Sequence, residues 1–318
     1  MDIFELSDKL LTQDDKDSIH EITGYSYQQL MNDIEECDIE FLQSIYSDEK
    51  IIMDVGLNKK GLHIYRTLLS RRIDQYRRRV YSQNHEKINE WEENGIIIVP
   101  NFLENDEYDK IKSKLNMNQN FHLDLSSNVE FQKLITMTAG APSTIMTLGS
   151  ETIEFDKIDP NEEQYHLHSD TFQPCVKVFY YINDIQENEG SFCFVNGSTR
   201  VENKNFLKWL YESSCKSLDD TSDDVYDILP YKLNSDTFDT WGKPVKCTFS
   251  PRLGRKLTDE QLNVKLNAMD LPNMTPVLGK GNTLVIADTS GFHRRERAKQ
   301  GVVRTTLRSG QRFNPFMI

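Results

Sequence analysis

His166-Leu-His168-Ser-Asp170-Thr-Phe-Gln-Pro-Cys-Val-Lys-Val-Phe-Tyr-Tyr-Ile182 decides how this chain is read. Its second half, Val176 to Ile182, is rich in β-branched and aromatic residues and reads as a strand. Side chains alternate along an extended chain, so His168 and Asp170 share one face, an imidazole beside a carboxylate. His166 falls on the same face, and spacing alone leaves His166 with His168 open as a rival metal-ligand pair. A Glu187-Asn-Glu-Gly190 turn follows, and then a further apolar strand, Ser191 to Val195.

The His-x-Asp pattern occurs once more, at His122-Leu-Asp124. There it runs into Leu-Ser-Ser-Asn128 and a helical stretch from Val129 to Met137, so Asp124 or Ser126 is accounted for as a cap or turn residue. A third ligand candidate is His293, in Asp288-Thr-Ser-Gly-Phe-His293 just past the strand Thr283 to Ala287, where a strand end presents side chains to a cavity. Eleven residues on, in Val302-Val-Arg304-Thr-Thr306-Leu-Arg308, Arg304, Thr306 and Arg308 lie on one strand face. A guanidinium fork with a hydroxyl two residues later suits a carboxylate.

Further out, Gly95-Ile-Ile-Ile-Val-Pro100 reads as a strand, and Asn105 to Leu115 as a helix opened by an asparagine cap. Thr152 to Ile158, Asn282 to Ala287 and Val302 to Leu307 add strands. Many short strands after a few helices predict a β-sandwich or jelly roll. The stretch 201–280 is far longer than an ordinary connection. It carries helical signals at Asn205 to Tyr211 and Thr258 to Leu266, and its aromatics (Trp209, Tyr211, Tyr226, Tyr231, Phe238, Trp241) are expected partly to cover the site as a lid and partly to form a small core. Residues 1–60 hold 15 acidic and 5 basic side chains, whereas residues 61–85 hold six arginines (66, 71, 72, 77, 78 and 79) against Asp74 alone. Apolar spacing there is helical, and the arginines are expected to form a solvated face pairing with the acidic segment.

Of the chain's 318 residues, 37 are Lys or Arg and 50 Asp or Glu, a net charge of −13. That charge repels phosphate backbones and anionic membranes, so neither nucleic acid nor a membrane is an expected partner. The longest nearly apolar stretch, Gly95 to Leu103, is broken by Pro100 and too short to cross a bilayer, and the Met1-Asp2 start lacks signal-peptide character. A cytoplasmic protein is expected. Five cysteines without a CxxC pair argue against a zinc knuckle or a disulfide framework.

Taken in order, these segments resemble the phytanoyl-CoA dioxygenase family of Fe(II)- and 2-oxoglutarate-dependent oxygenases. The resemblance runs over residues 94–318: Asn94-Gly-Ile-Ile-Ile-Val-Pro-Asn-Phe-Leu103, His168-Ser-Asp170, Tyr180-Tyr-Ile-Asn-Asp-Ile-Gln-Glu-Asn-Glu-Gly-Ser191, Asn196-Gly-Ser-Thr199, and Gly281-Asn-Thr-Leu-Val-Ile-Ala-Asp288 with His293 and Arg304. It implies an α+β fold, with a double-stranded β-helix (jelly roll) core at 94–318, flanking helices and a helical N-terminal extension at 1–93. It implies His168, Asp170 and His293 as the iron ligands, Arg304 at the distal carboxylate of 2-oxoglutarate, and Phe179 beside the cosubstrate; Thr306 joins them from strand geometry. The implied activity, using Fe(II), 2-oxoglutarate and O2, is oxidation of an unactivated C–H bond of a small metabolite or natural-product precursor, by hydroxylation, desaturation or ring closure, with release of succinate and CO2. Asp170 departs from related halogenases, which carry a small residue there. Thr199 stands where the family usually has histidine. After His293 the chain reads Arg294-Arg-Glu-Arg297, leaving Arg294, Arg295 or Arg297 as contacts to an anionic substrate, against the blander expectation of a solvated basic loop. Two rivals stand beside this reading: a cupin-like metalloenzyme using His166 and His168 without 2-oxoglutarate, and a non-catalytic scaffold acting through its N-terminal helices. Oligomeric state is left open.

Overall fold

Strong local signals start the helices of the first third of the chain. In the computed structural model, which describes residues 3–47, 51–52, 54–82, 85–117, 120–157, 163–215, 246–247, 252–253, 258–311 and 314–317, these are α1 (Ile3–Leu10), α2 (Gln13–Thr23), α3 (Tyr27–Glu35), α4 (Ile39–Ser47), a short β1 (Ile51–Ile52), α5 (Val55–Lys59), α6 (Leu62–Ser82) and α7 (Ile88–Asn94). Thr12 and Ser26 cap α2 and α3, each in a reciprocal capping box, with Asp15 and Gln29. Strands then dominate: β2 (Ile96–Val99), α8 (Asn105–Met117), β3 (His122–Asp124), α9 (Val129–Ala139), β4 (Thr147–Glu154), β5 (Leu167–His168), β6 (Val176–Tyr181), β7 (Phe192–Phe194), α10 (Lys204–Ser214), β8 (Lys246–Cys247), β9 (Arg252–Leu253), α11 (Asp259–Ala268), β10 (Thr275–Pro276), β11 (Thr283–Asp288), β12 (His293–Arg295) and β13 (Val303–Gln311).

Among the described residues the strands form antiparallel sheets: six strands in the order β2-β11-β6-β13-β4-β3, five in the order β10-β7-β12-β5-β9, and the pair β1-β8. This is an α+β arrangement. Alternation along each strand sorts the layers. Val176, Val178 and Tyr180 of β6, with Leu284, Ile286 and Leu307, pack outward on Phe131, Leu134 and Ile135 of α9 and Ile111 and Leu115 of α8. Tyr181, Val285 and Ala287 face the other way and meet Phe192 and Phe194 of the five-stranded sheet. The far side of that smaller sheet, through Leu167, Val195 and Phe292, shares one apolar cluster with Ile64, Tyr65, Leu68, Phe206 and Trp209.

Several expectations shift in detail. Strand β4 begins at Thr147, because it is paired with β3 on one side and β13 on the other. Asn105 is the first residue of α8 rather than its cap. Asp124 accepts from the Ser126 amide at 2.9 Å, the turn role expected of it, while Asn128 caps α9. In 201–280, Trp209 belongs to the core, 4.8 Å centroid to centroid from Phe292. Tyr226, Tyr231, Phe238 and Trp241 lie outside the described residues.

The arginine helix is a correction. Arg66, Arg71, Arg77 and Arg78 are buried, not solvated. Their charges are met by backbone carbonyls that sequence distance hides: Arg66 donates to Ile45 O (2.9 Å), Arg71 to Thr199 O and Arg200 O (2.8 and 3.1 Å), and Arg77 to Asn314 O and Met317 O (3.3 and 2.9 Å). Arg78 pairs with Asp74 within α6. Burial pulls Arg71 and Arg77 down to about 10, which leaves both charged at neutral pH. Pairing with the acidic segment is realised by Arg72, whose fork grips both oxygens of Asp15 at 2.9 Å. Among the described residues no helix is long and apolar enough to cross a membrane, and Cys37, Cys175, Cys193 and Cys215 form no disulfide.

Candidate metal centre and its pocket

Strands β5 and β12 pair with His168 directly opposite His293, and the two rings approach to 4.3 Å. Asp170 lies just past the end of β5, and the loop carrying it is fastened to the turn that leads into His293. The Asp170 amide donates to Thr289 O (2.9 Å), and Ser169 Oγ lies within hydrogen-bond reach of Thr171 O and Ser290 O (2.7 and 2.8 Å). Asp288 Oδ1 accepts from the amides of Cys175 and Ser290 (2.9 and 3.0 Å). The Asn196-to-Thr199 turn is a third support. Ser198 Oγ accepts from the Phe292 amide (2.9 Å) and donates to Val195 O (2.7 Å). A Cβ on Gly291 would come within 2.5 Å of that hydroxyl, so only glycine permits the approach.

Both imidazoles are oriented by backbone. His168 Nδ1 lies 2.7 Å from His166 O and His293 Nδ1 2.9 Å from Gly291 O. A carbonyl only accepts, so each Nδ1 carries the proton and each Nε2 presents its lone pair. Those nitrogens converge on Asp170 Oδ1, at 3.8 Å from His168 and 3.6 Å from His293. The ligand atoms of the three residues lie within 4.8 Å of one another. His168 and His293 are almost completely buried. Burial opposes ionisation of Asp170, but His293 and His168, when they carry a second proton on Nε2, together with the Lys177 ammonium outweigh it and hold the carboxyl well below the usual carboxylate range. His166 contributes its carbonyl to this cluster, and its ring is not one of the three clustered ligand groups.

Next to His293, between the sheets, is a pocket of about 50 Å³. Lys177, Phe179 and Tyr181 of β6, Arg304, Thr306 and Arg308 of β13, and Phe192, Arg295 and Glu151 line it. Phe179, Arg304 and Thr306, far apart in sequence, are thus brought together with His293. Arg304 Nη1 donates to Gly190 O, and the guanidinium lies 5.8 Å from the Phe155 ring. Arg304 Nε is buried with no hydrogen-bond partner. Burial, and then the neighbouring Arg295, lower its affinity for the proton. Gly190 has φ +74°, and a Cβ there would run into the Phe155 ring. The segment after His293 corrects another expectation: it continues as β12, with Arg294 buried and paired to Asp259 at 2.7 Å, Arg295 half-buried, and only Arg297 exposed, over the Tyr165 ring at 5.1 Å.

The sequence by itself gives Lys177 no role. Its Nζ lies 2.5 Å from Asp170 Oδ2, an ion pair without aligned hydrogen-bond geometry. The available signal was a single charge inside an otherwise apolar strand, at the parity of Phe179 and Tyr181.

No protein-family model matches the chain, and no curated protein matches it. Similar solved structures include HygX from Streptomyces hygroscopicus with nickel, 2-oxoglutarate and hygromycin B bound (13% identity over 71% of this chain and 86% of that one, TM-score 0.39). Others are the non-haem α-ketoglutarate-dependent carbocyclase SnoK from nogalamycin biosynthesis (13%, 72% and 84%, 0.38) and AviO1 from Streptomyces viridochromogenes Tue57 (10%, 70% and 91%, 0.34). With TM-scores below 0.5 these likenesses decide nothing about activity, which rests on the geometry of the His168, Asp170 and His293 cluster and its pocket.

Proposed function

We propose that this chain is a non-haem Fe(II)- and 2-oxoglutarate-dependent oxygenase of the phytanoyl-CoA dioxygenase type, oxidising a C–H bond of a small molecule. In this reading the two facing sheets are the double-stranded β-helix core at 94–318, and residues 1–93 are a helical extension packed on it. The carrying observation is the convergence of two backbone-oriented Nε2 atoms and one carboxylate oxygen on a common point. Two imidazoles and one carboxylate are the donor set of this chemistry, and would hold the metal with positions left for a cosubstrate. The unpartnered buried Nε of Arg304 fits a carboxylate ligand in the adjoining pocket.

His168, Asp170 and His293 would hold the metal, and Arg304 with Thr306 the far carboxylate of 2-oxoglutarate, beside Phe179. When bound, iron would activate O2, which is the oxidant, with 2-oxoglutarate giving up two electrons as it is converted to succinate and CO2. The residues around them do the rest. His166 O and Gly291 O keep the imidazole protons on Nδ1, so both ligand nitrogens stay available. Phe179, Phe192 and Tyr181 give the cosubstrate pocket an apolar wall, which strengthens the hold of Arg304 on a carboxylate. Arg295 offers a second cation at the same pocket, suited to an anionic substrate group. Incubation with Fe(II), 2-oxoglutarate, ascorbate and air tests the reading: slow succinate formation is expected, abolished in His168→Ala and His293→Ala. Metal-dependent binding without any succinate from wild type would overturn it.

A further inference from the structure

The two oxygens of Asp170 have different surroundings. Oδ1 faces both ligand imidazoles, at 3.6 and 3.8 Å, whereas Oδ2 faces Lys177 Nζ at 2.5 Å. The Lys177 side chain stays 31% exposed, but holding its ammonium against Asp170 beside Phe179, Tyr181 and Phe192 costs rotamer freedom and part of its hydration, which calls for a physical reason. The strand register makes room for it. On one side the cross-strand neighbour of Lys177 is Gly310, and on the other Ala287. A Cβ on Gly310 would sit 3.6 Å from Lys177 Cγ. Small residues on both flanks leave the stem free to lean from β6 toward Asp170, which lies on a loop fastened elsewhere by its own amide. Asp170 and Lys177 therefore meet because the backbone aims both, with the ammonium closest to Oδ2.

We propose that Lys177 is a positioning residue that holds Asp170 Oδ2 away from the metal, so that the carboxylate binds through Oδ1 alone and the coordination positions needed for 2-oxoglutarate stay open. This rests on the oxygenase reading above. Without the ammonium the carboxylate is free to turn both oxygens to the metal. It then becomes a stronger ligand and competes with the chelating cosubstrate. The expected signature is therefore divergent: cosubstrate affinity falls while metal affinity does not. A purely structural ion pair gives the opposite pattern, with both falling together.

The test uses Co(II) as probe in wild type, Lys177→Met and Lys177→Arg, with circular dichroism to verify folding. Visible d–d absorption before 2-oxoglutarate is added reports the ligand sphere, and calorimetry gives the affinities for Co(II) and then for 2-oxoglutarate. Lys177→Met is expected to change the Co(II) bands, to keep or tighten Co(II) binding, and to weaken 2-oxoglutarate by about 10–100-fold, the usual scale for a residue behind a metal ligand. Lys177→Arg is expected to restore the wild-type bands. Unchanged bands and cosubstrate affinity in Lys177→Met would overturn the proposal, as would parallel loss of Co(II) and 2-oxoglutarate binding. Failure of wild type to bind 2-oxoglutarate in a Co(II)-dependent way would instead sink the oxygenase reading, and this inference with it.

Discussion

Replacing Arg304 with methionine separates binding from stability. The side chain is half-buried, donates to the Gly190 carbonyl, lies by the Phe155 ring, and keeps Nε buried without a partner. If it grips a carboxylate through two charge-assisted bonds of about 1.5–3 kcal/mol each, the low end already gives about 3 kcal/mol. At ~1.4 kcal/mol per decade, that is roughly a 10²-fold loss of 2-oxoglutarate affinity. Stability moves little. Methionine keeps the apolar length of the stem and relieves the desolvation of a guanidinium beside Arg295, while the Gly190 carbonyl loses a donor worth about 1 kcal/mol. The melting temperature of the metal-free protein should stay within a few degrees of wild type, at ~2–4 °C per kcal/mol. Calorimetric titration of 2-oxoglutarate into the Ni(II)-loaded variant, beside a thermal melt without metal, measures both. A dissociation constant within about threefold of wild type, or collapse of the fold, would refute the role given to Arg304.

Three other perturbations probe the frame around the site. Gly190→Ala places a methyl against Phe155 at a left-handed φ, so about 2–4 kcal/mol of destabilisation is expected from strain plus overpacking, read as a lower urea midpoint; a change under 0.5 kcal/mol would contradict the packing described. Asp15→Ala removes both the α2 capping box and the buried partner of Arg72, with an expected loss of about 2–4 kcal/mol, whereas Asp14→Ala on the exposed side of the same turn should cost under about 1 kcal/mol. His63 is buried against Phe172, and burial, then the nearby Arg66 charge, hold its proton affinity well below the ordinary value. Its folded pKa is depressed, so the unfolded chain takes up the proton first as pH falls. Stability should therefore drop below about pH 6.5 by up to ~1.4 kcal/mol per pH unit from this group, and His63→Leu should flatten urea midpoints measured between pH 7 and 5; an equally steep variant would refute the assignment.

Much of the site was legible because its information is local. His-x-Asp at strand parity, a histidine just past a strand end, and Arg304 with Thr306 at i, i+2 each follow from alternation, and the structure brings all of them together. The second His-x-Asp copy was separable for the same reason, since Asp124 is followed by its turn and helix. What stayed hidden was set by partners more than a hundred residues away. Counting charges assigned the arginines of α6 to solvent, because no local signal says that the carbonyls of Thr199, Arg200, Asn314 and Met317 will meet them. Arg294 reads as loop from the sequence because its strand exists only through pairing with β7 and β5. Lys177 acquires meaning only once register sets Gly310 and Ala287 on either side of it.

The most direct test of the account is an anaerobic titration of the metal-free protein with Fe(II) and then 2-oxoglutarate, followed by visible absorption. A weak charge-transfer band that appears only with both, is absent in His168→Ala and Asp170→Ala, and needs far more 2-oxoglutarate in Arg304→Met is the predicted result. Tight Fe(II) binding with no such band at saturating 2-oxoglutarate would contradict it.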